Sequence, residues 1–259
     1  MPEYVPIETA KTMKGLRLVL TAIPGPPWTE AAKAVFHVKK IPYVPVAQQP
    51  VVTNDALQEW TGHSNAPIAV YDDERARAGW AEILFLAERL APQPSLIPAD
   101  PDDRVRFFGL AHEICGEDGL GWNRRHLMVR DALNPTVRGA VPREIAEYLA
   151  ARYGYGEAAS ARAPARVAEI LRTLSAQLRT QAERGRRFLI GDRLSALDLY
   201  WATFAVLFEP LAEKQCALPD WLRQSYTVKD PTLRAALDPQ LLAHRDRIYG
   251  DHLELPIEG

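Results

Sequence analysis

The chain has 259 residues, 47% hydrophobic and 25% charged, with a formal net charge of −2. This is the balance of a globular protein with room for one large domain or two ordinary ones, able to bury a core without disulfide staples. The charge is evenly spread without a basic block, which argues against nucleic acid or an anionic membrane as partner, and no apolar stretch nears the roughly 20 residues of a bilayer span.

The first segment, MPEYVPIETAKTMKG, lacks a positive-then-apolar leader pattern, so residues 1–14 are read as an extension of a cytosolic protein. LRLVL (16–20) is a short apolar run between a glycine and turn residues, the mark of a buried strand. TAIPGPPWTEAAKAV (21–35) then packs three prolines and a glycine into four positions before a helical pattern begins. Pro27 suits the first helical position, where its missing N–H would be unpaired anyway. Ala31, Val35 and Val38 give the helix from Pro27 to Lys39 an apolar face. IPYVPVA (41–47) is extended because of its prolines, and 53–60 reads as a short helix with Thr53 or Asn54 as N-cap. APIAVYDDERARAG (66–79) reads as a strand, a turn at Asp72-Asp73 and a short second strand. Trp80, Ile83, Leu84, Ala87 and Leu90 then mark a helix. The order to residue 90 is β-α-β-α-β-β-α.

APQPSLIPADPDD (91–103) holds four prolines and no periodicity, as an interdomain linker does. Everything after it reads as helical, over 104–249. Val105, Phe108, Ala111 and Cys115 mark a first helix, interrupted by GEDGLG (116–121). Further helices are predicted at 142–153, 162–184 and 231–249, with a loose tail over 250–259. In FLIGDRLSALDLYWATFAVLF (188–208), Ser195 as N-cap and Asp198 at N3 have capping-box spacing, with Leu194 and Leu199 as the hydrophobic staple. The helix that follows is apolar nearly all round and should run through the centre of the helical half. A capping box is a folding device, so no catalytic role is read into it. Cys115 and Cys216 have no ligand spacing around them and are expected as buried thiols in a reducing compartment. No metal spacing, GxGxxG, phosphate-binding loop or GxSxG stretch occurs.

Four segments, which follow one another along the chain in the family's order, resemble the glutathione S-transferase family. GDRLSALD (191–198) is similar to the family's GD-x-x-S-x-x-D helix start, and KKIPYVPV (39–46) to its IPY segment. NAPIAV (65–70) resembles the cis-proline segment, with Pro67 as that proline, and WAEILFLAERL (80–90) the third family helix. The resemblance spans roughly residues 15–240. It implies a thioredoxin-like α/β domain (15–90) that binds glutathione, followed by an all-α helical bundle domain that holds an electrophile. It also implies a cytosolic homodimer.

In that family the glutathione thiol lies at the N-terminus of the first domain's first helix. The helix dipole and nearby donors favour the thiolate there. The register set by IPY puts Pro26 where a Ser or Cys would stand and Ala22 where the tyrosine-type enzymes carry their tyrosine. Ala78 and Gly79 fall where the acidic–Ser pair that holds the γ-glutamyl end would be. The cis-proline segment, Ala66 and Pro67, is retained. The resemblance therefore places catalysis on the backbone of Trp28 and Thr29 rather than on a Ser, Cys or Tyr side chain.

Several side chains have two readings. The Thr29 hydroxyl either reaches a thiolate or bonds its own helix, and Thr21 either joins it or merely ends the strand. Trp28 either walls the pocket or packs in the core. Arg75 or Arg77 either pairs with the γ-glutamyl carboxylate or guards a sheet edge. In GLGWNRRHLMV (119–129), Gly119 and Gly121 break the helix. Trp122 and Arg125 then either line the pocket of an aromatic or anionic second substrate or belong to a solvated face. His112 and Glu113 read as a helix pair. Glutathione is the expected co-substrate and a small electrophile, aromatic ones included, its partner. The alternative is a non-catalytic binding protein on the same fold. A lyase or isomerase would look the same from sequence.

Overall fold

The computed structural model describes residues 3–257, so residues 1–2 of the expected extension and 258–259 of the expected tail lie outside the described residues. The extension is not bare. It carries helix α1 (Ile7–Thr12), and Val5 N–H bonds Pro45 O at 2.9 Å, laying the segment along the sheet. Strand β1 (Leu16–Thr21) is central, with β2 (Val44–Gln48) parallel on one side and β3 (Ile68–Tyr71) antiparallel on the other. Its alternation sorts two layers: Leu16, Leu18 and Leu20 enter the main core, whereas Val19 joins Ala10, Val46, Leu57, Ile68 and Val70 on the opposite face. Helix α2 (Pro27–Val38) crosses from β1 to β2, α3 (Asp55–Thr61) leads towards β3, and α4 (Trp80–Leu90) closes the unit.

The expected fourth strand is reduced to a single bridge, Ala69 with Arg77, bonded both ways at 2.9 Å. Beyond that bridge the segment turns away into the N-cap of α4 at Gly79. Asn54 precedes α3 as expected, but in the left-handed region (φ 54) and without capping it. Its side chain instead braces the preceding loop through Gln49 and Val52.

The helical half starts inside the predicted linker. Asp100 accepts the Asp103 N–H at 2.9 Å and Pro101 sits at N1, so α5 spans Pro101–Cys115. Then come α6 (Leu120–Leu133), α7 (Arg143–Tyr153), α8 (Glu157–Glu183) and α9 (Ala196–Phe204). Gly119 is the N-cap of α6, but Gly121 lies within it and does not break it. The single helix expected at 231–249 is two, α11 (Pro231–Ala236) and α12 (Pro239–His252). Asp238 caps the second through the Gln240 N–H at 2.9 Å, and Pro239 cannot continue the first. A further helix, α10 (Asp220–Tyr226), was not foreseen. The tail is also held: buried Ile257 donates its N–H to Gln215 O at 2.7 Å.

Helix α9 is buried along its whole length. The Asp198 carboxylate, fully buried, accepts from the N–H groups of Leu189 (2.8 Å) and Ser195 (3.0 Å) and from the Ser195 hydroxyl (2.8 Å). His244 of α12 completes the set: Arg247 donates to its Nδ1 at 2.7 Å, so its Nε2–H donates to Asp198 at 2.9 Å. The capping box is thus the joint where α9, the loop before it and α12 meet. No helix among the described residues is long and apolar enough to cross a membrane.

Candidate functional site

The turn after β1 delivers the start of α2 to the seam between the two halves. Gly25 takes a positive φ (+87), and a Cβ there would meet Leu218 at 2.9 Å. Pro26 is the N-cap and Pro27 occupies N1. The first helical bond runs from Glu30 N–H to Pro26 O at 3.0 Å, so the N–H groups of Trp28 and Thr29 lie ahead of the ladder. The Thr29 hydroxyl neither bonds its own helix nor stands free. Buried at 2% exposure, it accepts the Thr21 N–H and donates to the Thr21 hydroxyl, both at 3.3 Å, tying α2 to the end of β1.

Pro26, Trp28, Thr29 and Thr21 line a cavity of about 160 Å³ between the halves, with Ala66 on one side and α6, α7 and α10 on the other. The Ala66–Pro67 peptide is cis, as expected. Asn65 beside it accepts the Tyr148 hydroxyl of α7 at 3.4 Å. A neighbouring cleft of about 270 Å³ runs past Ser64, Pro67 and Ala78, and Arg152 of α7 borders both spaces. Trp28 anchors the seam. Its indole N–H donates to Cys115 O at 2.9 Å and its ring meets Phe204 edge-on at 4.8 Å. Gly121 permits that approach, since a Cβ there would fall 2.4 Å from the Phe204 ring and 2.8 Å from the Trp28 ring.

The polar run of α6 is not a solvated face: Asn123, Arg124, Arg125 and His126 are all buried. Arg124 is structural. It donates to Leu207 O and Ser225 O, each at 2.9 Å, and burial pulls its guanidinium down to about 10. Arg125 lines the cavity instead, its guanidinium 5.8 Å from the Trp28 ring centroid and 5.6 Å from that of Tyr226. Burial raises the Tyr153 phenol, an effect that Arg125 beside it opposes.

The remaining predicted residues lie elsewhere. Trp122 packs edge-on against Tyr153 at 4.8 Å, and Tyr153, not Trp122, forms the cavity wall. Arg77 is drawn to Glu74 at 2.6 Å and Arg75 to Glu82 at 2.8 Å, so neither lines the cavity or the cleft. Gly79 starts α4 and donates its N–H to Glu82 at 3.3 Å, so this helix end carries its own carboxylate. Glu113 pairs with Arg166 at 2.6 Å rather than with His112. Tyr148, Arg152, Tyr153, Trp221 and Tyr226 are wall residues that sequence reasoning missed. The aromatic density of α7 and α10 was their only signal, and it does not distinguish a wall from a core.

No family model matches the chain, and no curated protein matches it. Solved structures do. A glutathione S-transferase of Methylobacterium radiotolerans, in complex with glutathione sulfonate, superposes with a TM-score of 0.60 at 18% identity, over 92% of each chain. A glutathione transferase homologue from Sulfitobacter with bound glutathione gives 0.52 at 17% identity, over 92% of this chain and 93% of that one. The β-etherase LigF of a Sphingobium strain gives 0.56 at 16%, over 85% and 98%. These are likenesses of fold.

Proposed function

We propose that this chain, whose fold is that of the glutathione S-transferases, binds glutathione and directs its thiolate at a small electrophile. One observation carries the reading. The N-terminus of α2 and the cis Ala66–Pro67 peptide border the same cavity, which the helical half roofs with aromatic rings. The main chain of Ala66 would pair with the cysteinyl unit of glutathione, bringing its sulfur towards the N–H groups of Trp28 and Thr29. Those two donors and the positive end of the helix favour thiolate over thiol. The thiol proton leaves to solvent, a sulfur–carbon bond forms, and the leaving group departs with its electron pair. Arg152, at the border of cavity and cleft, is placed to meet a glutathione carboxylate. Lyase or isomerase chemistry would start from the same thiolate.

The absence of a donor side chain at Pro26 and of an acidic–Ser pair at Ala78-Gly79 favours a second reading, a ligand-binding protein on this fold without catalysis. Under either reading we place the protein in the cytosol, where Cys115 and Cys216 stay reduced, as a homodimer. The dimer surface is α4 and α5, where Phe85 (46% exposed) stacks on Phe108 beside Val105 (75% exposed). Calorimetric titration with glutathione and S-hexylglutathione separates the readings. Binding is expected, and no heat at millimolar ligand would sink the enzyme reading. Thr29→Ala is expected to keep turnover within about twofold, because the donors are backbone groups. A large loss of turnover with unchanged thermal stability would return the role to the hydroxyl rather than to its tie with Thr21.

A further inference from the structure

Four arginines are buried among the described residues: Arg17, Arg124, Arg125 and Arg245. Three of them are committed to strong acceptors. Arg17 donates to Gly15 O at 2.8 Å and Asp72 O at 2.7 Å, and Arg124 to the two carbonyls described above. Arg245 donates to Glu209 O at 2.6 Å and to the Asp246 carboxylate at 2.8 Å. Arg125 has no such partner. Its Nη1 donates to the thioether of Met128 at 3.2 Å, a weak acceptor, and its Nη2 to the Tyr226 hydroxyl at 3.4 Å. The Tyr153 hydroxyl is its other polar neighbour, and its Nε is buried without a partner. Among the described residues, the side chains that bear on its charge are the Tyr226 and Tyr153 phenols, with no Asp or Glu among them.

Nε and Nη2 together form the side-on fork that grips a carboxylate. Removing a guanidinium from water is costly, and a fold that needed only packing here would have little use for the charge. The surroundings agree in sign. The lining of the cavity holds Arg125 and Arg152 and no Asp or Glu, and the N-terminus of α2 opens into it. The Trp28 and Tyr226 rings, with centroids 5.8 and 5.6 Å from the guanidinium carbon, favour a cation there without neutralising it.

We infer that Arg125 is the anion-binding residue of the second-substrate pocket, gripping a carboxylate carried by an aromatic molecule. As a statement about substrate this rests on the proposed function, but carboxylate binding itself does not require glutathione chemistry. The electrophile would then be an aromatic acid, oriented by Arg125 with its ring against Trp28, Tyr153 and Trp221.

The test is calorimetric titration of cinnamate and 4-hydroxybenzoate, each against its methyl ester, with and without saturating glutathione. Each acid is expected to bind at least tenfold more tightly than its ester. That ratio is expected to fall to about one in Arg125→Met and to survive in part in Arg125→Lys, with folding checked by circular dichroism. Equal affinities in the wild type, no binding of either acid at millimolar concentration, or a ratio that persists in Arg125→Met would overturn the inference. So would competition between acid and glutathione, which would assign Arg125 to a carboxylate of glutathione itself. Should Arg125→Met fail to fold, the acid–ester ratio of the wild type and its change in Arg125→Lys still decide. Acid binding without any glutathione heat would refute the glutathione reading and leave the anion subsite standing.

Discussion

Replacing Gly121 by alanine tests whether the seam between the halves is as tight as the geometry requires. In an ordinary helix this change stabilises by about 1 kcal/mol, because glycine gives up more backbone freedom than alanine. At Gly121 the new Cβ would lie 2.4 Å from Phe204 Cε1 and 2.8 Å from Trp28 Cη2. Carbon atoms prefer about 3.5–4.0 Å, so a ring edge must retreat by about 1 Å. Phe204 is fully buried, and Trp28 is pinned by its bond to Cys115 O, so neither ring yields freely. Overpacking of this kind costs about 1–3 kcal/mol, which outweighs the propensity gain and leaves a net loss of about 1 kcal/mol. Gly109, in the middle of α5 with nothing within 4 Å of its would-be Cβ, is the internal control. Gly109→Ala should stabilise by about 1 kcal/mol, so the two variants should differ by about 2 kcal/mol, or about 4–8 °C in Tm for a chain of this size. Urea and thermal unfolding followed by circular dichroism measure this. If Gly121→Ala stabilises as much as Gly109→Ala, the close approach of α6 to Trp28 and Phe204 is wrong.

Asp198→Ala strands the Leu189 and Ser195 N–H groups and His244 in the core, and should cost about 3–5 kcal/mol by urea unfolding; a loss below 1 kcal/mol would contradict the hub. Burial raises the Cys115 thiol well above its usual range and pushes that of Cys216 up to about 11. Neither should therefore react with an aromatic disulfide reagent at pH 8 until urea unfolds the protein. Burial also raises the Glu30 carboxyl, against Lys33 beside it. A carboxyl with a raised folded pKa contributes stability that is complete below its unfolded pKa of about 4.3 and is lost as pH rises through the folded pKa. Wild type should thus lose stability relative to Glu30→Gln as pH increases from about 4.5 to 7, and parallel curves would refute the shift. Phe85→Glu should convert the proposed dimer to monomer in light scattering, whereas an unchanged mass would place the interface elsewhere.

Where burial and periodicity coincide, the sequence was legible. The alternating run of β1, the apolar faces of α2 and α4, and the all-round apolar α9 with its capping box stand where their patterns put them. The cis peptide at Ala66–Pro67 rested on resemblance rather than pattern. The errors share one cause, because they depend on which surfaces become covered. The polar run around Arg124 and Arg125 has the composition of a solvated face and is buried because carbonyls, rings and the cavity receive its donors. The tail reads as loose until Gln215 offers it an acceptor. Proline was misjudged in both directions: Pro101, read as linker, opens a helix, whereas Pro239, read as interior to one helix, separates two. Only the neighbours of each proline decide between these roles.

Trp28 belongs to the site by its place at the mouth of α2 and to the helical half by its bond to Cys115 O and its contact with Phe204. The halves are therefore not interchangeable modules. A thioredoxin-like half expressed by itself would present a bare indole, together with the apolar flank of α2 that the central helix covers. A graft of the helical half onto another such domain would have to supply an aromatic of the same size facing Gly121. Any loosening of the seam at Trp28 reaches the cavity directly, because the same ring forms part of its wall.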